Sequence, residues 1–175
     1  MESRSAQCRF AMLASYELLA FISQELALRI LGDTATDNKE VYETTLGAVA
    51  QVQRVRPVFL KRQPKASRHQ LMLRSLIRPG FNEAASGLIR GWLLQHQIDM
   101  VKQFLDALEI EHAEGVVEEL PSSVNDEKLN TTIETLLSDH DKEIVVLYLH
   151  AFHTMNDAGW SNLEELLAND ERLQF

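Results

Sequence analysis

Residues 143–152 read "EIVVLYLHAF", and the fold class turns on whether this run is a strand or a helix. Ile144, Val145 and Val146, followed by Tyr148 and Phe152, have the β-branched and aromatic character of a buried strand. A strand needs a second strand beside it, and no other stretch of the chain offers one. The segments on either side repeat their apolar residues at three and four, so a helix is expected here.

Working outward, Ser123 with Asp126, Ser138 with Asp141 and Ser161 with Glu164 are capping-box patterns ahead of apolar-periodic runs. They predict helices near 124–138, 140–155 and 161–168. Upstream, "EIEHAEGVVEELPSSVN" (109–125) reads as an acidic, solvated connector broken by Gly115 and Pro121. Before it, the apolar positions from Phe81 to Leu108 predict one long helix or two broken near Gln95–Asp99. Ala84, Gly87 and Gly91 share a face of that helix, where another backbone could cross closely. Ser67 is expected to cap a short helix that runs through Arg78 and stops at Pro79–Gly80. Pro57 and Pro64 bracket either a short helical turn or an extended connection, and Asn38 to about Val55 reads as a helix. The first apolar run, from Phe10, should end near Leu31, where Gly32 acts as a C-terminal stop.

The expected fold is therefore all-α: an irregular bundle of about six to eight helices in one domain spanning 1–175. Residues 1–8 are expected to be a loose terminus. Glu17, Glu25 and Arg29 interrupt the most apolar run, which argues for a buried helix and against a membrane span. A lone cysteine, Cys8, and no visible signal peptide point to a soluble, cytoplasmic protein.

Charge is distributed unevenly. The formal net charge is −9, yet the 39 residues between Glu43 and Glu83 hold eight bases and no acid. From Gly91 to the end, four bases face eighteen acids, a balance of −14. Either the basic stretch lies against the protein's own acidic half, or it is open to a partner. The second reading makes Lys61, Arg62, Lys65, Arg68, Arg74 and Arg78 the binding residues. They would meet an acidic protein or a second copy's acidic half, in a non-enzymatic interaction or regulatory module. Nucleic acid fits poorly, because the acidic half repels a polyanion. The segment 68–90 has a helix–turn–helix outline, but its second helix offers one arginine and mostly core-type residues.

Two further functions are conceivable. His112, His140, Asp141, His150 and His153 could form a metal-dependent hydrolase centre, although the H-x-x-H pair lacks the glutamate base of a zincin. The plain alternative has His150 half-buried and satisfied and His153 at the surface. The other function is carriage of a small apolar ligand between the first helix and 144–152. No nucleophile elbow and no phosphate-binding glycine loop occurs, and nothing calls for a cofactor. Trp92 is expected in the core, and Trp160 as a hydrophobic staple beside the last helix.

Overall fold

The computed structural model describes residues 12–175. The expected loose terminus at 1–8, Cys8 and the helix start at Phe10 lie outside them. Ten α-helices follow in order: α1 (Ser15–Phe21), α2 (Gln24–Asp37), α3 (Lys39–Val52), α4 (Pro57–Arg62), α5 (Lys65–Leu76), α6 (Asn82–His96), α7 (Ile98–Ala107), α8 (Asp126–Asp139), α9 (Lys142–Met155) and α10 (Ser161–Asn169). Short 3-10 turns at Pro79–Phe81 and Glu171–Leu173 complete the chain. Among the described residues there is no strand, and the fold is all-α. No helix among them is long and apolar enough to cross a membrane.

The disputed run is helix α9, and Ile144 to His153 are all buried. A helix packed on every side has no polar stripe, so its sequence loses the period that would betray it. It packs against α1, α6, α8 and α10. Its start is capped by Asp141, whose Oδ1 accepts from the N–H groups of Glu143 (3.0 Å) and Ile144 (3.2 Å). Helix α6 is the other hub, packed on α1, α2, α3, α7 and α9. One continuous apolar core runs through both hubs.

Helices outnumber the six to eight expected because two long runs are split and the stretch after Pro57 is helical. The first run breaks at Ile22–Ser23 instead of ending near Leu31. There the Glu143 carboxylate, from α9, accepts from both the Ser23 N–H and its hydroxyl (the latter 2.9 Å). The same hydroxyl accepts from Leu26 N–H and caps α2. Gly32 does not stop α2, which continues to Asp37. The second split falls at Gln97, inside the expected window. Ser67 does not cap α5, which starts two residues earlier behind Pro64.

Helix α3 lies along α6, but the crossing is not unusually close. A Cβ on Gly91 would make ordinary contact with Val41 (3.4 Å), and one on Gly87 would meet nothing within 4 Å.

The segment 109–125 is not a solvated connector. Ile110 is buried, and Val117, Leu120 and Val124 pack on the core. Gly115 has φ +80°, and a Cβ there would sit 2.9 Å from Ile98 and 3.1 Å from both Leu94 and Val101. Only glycine fits this left-handed position pressed onto α6 and α7. Hydrogen bonds between Ala113 and Val116, and one from Gly115 N–H to His112 Nδ1, close the turn. The acids of this strap face outward while its apolar residues seal the bundle. Trp160 is buried against Phe152, with its indole N–H donating to the Pro121 carbonyl (2.8 Å), so it pins the strap's far end.

Candidate functional site

The eight bases of 54–78 lie in the turn after α3 (Arg54, Arg56), in α4 (Lys61, Arg62), in α5 (Lys65, Arg68, Arg74) and just beyond α5 (Arg78). Pro57 opens α4 at the position where a missing N–H costs nothing. Lys61 and Arg62 lie in its last turn, as Arg74 does in α5, where the helix dipole favours positive charge. That benefit is local and small. Only Leu60 of α4 is buried, so this helix contributes little to the core.

Two of the eight bases are engaged internally. Arg68 donates from Nε to the Tyr42 hydroxyl (2.8 Å) and from Nη1 to the Lys61 carbonyl (2.9 Å), with its guanidinium over the Tyr42 ring. It braces α3, α4 and α5 against one another and does not belong to an outward surface. Because Arg68 only donates, the Tyr42 proton is left for His69 Nε2 at 3.0 Å. Burial first, then Arg68 and Lys65, hold the His69 pKa down at about 4, so the ring is the neutral acceptor. Burial likewise raises the Tyr42 pKa. Lys61 meets Glu43 at 2.5 Å in an exposed pair.

Arg54, Arg56, Arg62, Lys65, Arg74 and Arg78 have no carboxylate partner among the described residues. All six are exposed. Helices α4 and α5 pack chiefly on α1, α2, α3 and α6, away from the acidic C-terminal half. Internal neutralisation by that half, the plainer of the two sequence readings, does not occur. Sequence reasoning missed that apolar side chains stand among these bases. Val52, Val55, Val58, Phe59 and Ile77 are exposed, Phe59 by 56%. The alternation of Val, Phe and Arg was visible in 52–59, but no periodicity showed which side faced water.

The expected metal ligands are scattered. His112 pairs with Asp106 (3.0 Å), His140 with the Gln103 amide oxygen (2.7 Å), and Asp141 caps α9. The His150 Nε2–H donates to the Leu173 carbonyl (3.2 Å), and burial lowers its pKa. His153 is buried, not at the surface as expected. Among the described residues no three His, Cys, Asp or Glu side chains converge on a point that could hold an ion. Each of these groups already serves a cap, a turn or the core, so the proposed hydrolase centre is not assembled.

Comparison with protein-family models, curated proteins and solved structures gives no match for this chain.

Proposed function

We propose that the protein is a non-enzymatic helical interaction module that binds an acidic protein surface through the edge formed by α4, the end of α3 and α5. The observation that carries this reading is the set of six exposed, unpartnered bases interleaved with five exposed apolar side chains. Like charges crowded without counter-charges repel one another, and exposed Val and Phe gain nothing for the monomer. A partner with carboxylates around an apolar ridge would relieve both conditions. Phe59 is the natural anchor, since aromatic side chains desolvated at a centre supply most interface energy. The surrounding arginines would add encounter rate and discrimination. The acidic half of a second copy is one surface of this kind.

The test uses a synthetic amphipathic helix of Leu and Glu, and its counterpart with Gln in place of Glu, titrated into the full chain. Sedimentation at low and high salt follows self-association in parallel. The Glu peptide should bind, lose affinity with salt, and fail to bind the Arg62→Glu/Arg74→Glu/Arg78→Glu variant. Equal binding of both peptides, or binding by the variant, would overturn the proposal. So would binding confined to anionic vesicles or to duplex DNA.

A further inference from the structure

The outward side of α3 carries an unpartnered seam. Glu40, Thr44, Gly47, Gln51 and Arg54 follow one another at four, three, four and three residues, the spacing with which one helix meets another. None of the five is buried. The ten residues from Thr44 to Gln53 carry no charge, although Thr44, Gln51, Val52 and Gln53 are exposed. A helix side that only faces water is normally studded with charges. Beside this seam α3 and α6 enclose a groove of about 710 Å³, walled by Val41, Ala48 and Val52 on one side and by Ala84 and Gly87 on the other. Glycine inside a helix weakens it, and a Cβ at Gly47 or Gly87 would meet nothing within 4 Å. Neither glycine makes room for anything in the monomer, whereas a second backbone laid across them would use both.

Charge order selects the occupant. Glu40 stands seven residues before Gly47 and Arg54 seven after it, about 10 Å to either side along the helix. Neither has an ion-pair partner among the described residues. Glu43 is held by Lys61, and Lys39 is in register with the buried Tyr42 and Leu46, on the other flank. Glu83 also lines the groove, but it lies in the first turn of α6, where the helix dipole answers it. A wholly acidic partner would press a like charge on Glu40, and a wholly basic one would do so on Arg54. An antiparallel copy of the same helix sets acid against base at both ends.

We propose that two copies of this chain pair about a two-fold axis through Gly47, α3 against α3, with Glu40 of one copy on Arg54 of the other. The contact is short, so the dimer is a weak and reversible one. This surface goes beyond the docking edge and shares with it only Val52 and Arg54.

Sedimentation equilibrium of the full chain, over a concentration series reaching the millimolar range, tests it. The parent should dimerise. Glu40→Arg and Arg54→Glu should each weaken the dimer at least about tenfold, since symmetry counts every pair twice, and the double variant should restore it. Gly47→Glu sets two carboxylates together on the axis and should give a monomer with the parent's circular dichroism. Arg62→Glu/Arg74→Glu, which alters the docking edge alone, should dimerise as the parent does. A monomer at every concentration overturns the proposal, as does a dimer that survives Gly47→Glu or is not recovered by the charge exchange. Loss of the dimer in Arg62→Glu/Arg74→Glu would move the contact to the docking edge and overturn it too.

Discussion

Helices α3 and α7 end in the same way and have opposite fates. Each closes with a non-glycine residue in the left-handed region, Arg54 at φ 54° and Glu109 at φ 57°. In each, the next residue's N–H reaches back five positions, Val55 to Ala50 and Ile110 to Leu105. This is the Schellman arrangement, which glycine usually occupies. At α7 the turn is closed on the protein: Ile110 is buried, and Glu109 pairs with Lys128 at 2.6 Å. At α3 it is open: Val55 is exposed, and Arg54 has no carboxylate partner among the described residues. The same local geometry thus serves the fold in one place and leaves its side chains unspent in the other. The chain closes one such turn on itself and leaves the other open, and the proposed docking edge rests on that contrast.

The sharpest way to break this comparison is truncation at the residue after each turn. Ile110→Ala should cost about 2–5 kcal/mol, because it opens a cavity in packed surroundings. Val55→Ala should cost under about 0.5 kcal/mol. Equal losses in denaturant titrations would show that Val55 is packed after all.

A smaller effect separates the two sides of the basic edge itself. His69 titrates near 6.5 when unfolded and about 4 when folded. Its contribution is therefore complete above pH 6.5 and is lost as pH falls toward 4, since the unfolded chain takes the proton first. The expected loss is on the order of 1–2 kcal/mol, below the full linkage value because solvent lies close to α5. Against His69→Gln, thermal midpoints across this window should converge as pH falls. Parallel curves would mean that folding does not shift the titration of this ring.

The smallest expected effect falls on the outer face. Arg62→Glu/Arg74→Glu/Arg78→Glu should shift stability by no more than about 0.5 kcal/mol per site, in either direction. A much larger loss would assign these arginines to the fold and remove the contrast with α7.

Much of the helix plan was legible because it is local. Asn38 caps α3 through Val41 N–H, as its position implied, and Asp141 caps α9. The paired serines misled by up to three residues: Asn125 caps α8 in place of Ser123, Asp141 caps α9 in place of Ser138, which lies inside α8, and Ser161 opens α10 with no side-chain cap before it. The split at Ser23 could not be read, because its cause is a carboxylate 120 residues away. Arg68 was indistinguishable from its basic neighbours until Tyr42 stood beside it. The strap looked solvated because glutamates dominate its composition, while a few valines and one glycine decide where it lies.

Periodicity, caps and charge order are properties of neighbours along the chain, and they were enough to make this protein helical and electrically two-ended. Which charges are consumed depends on distances between segments far apart in sequence. Packing alone committed Arg68 to Tyr42, pressed the acidic strap onto α6 and α7, left the outward side of α3 uncovered, and set six bases facing water. The physical reason is that a side chain's energy is set by what surrounds it once water has been displaced, and sequence order does not record those surroundings.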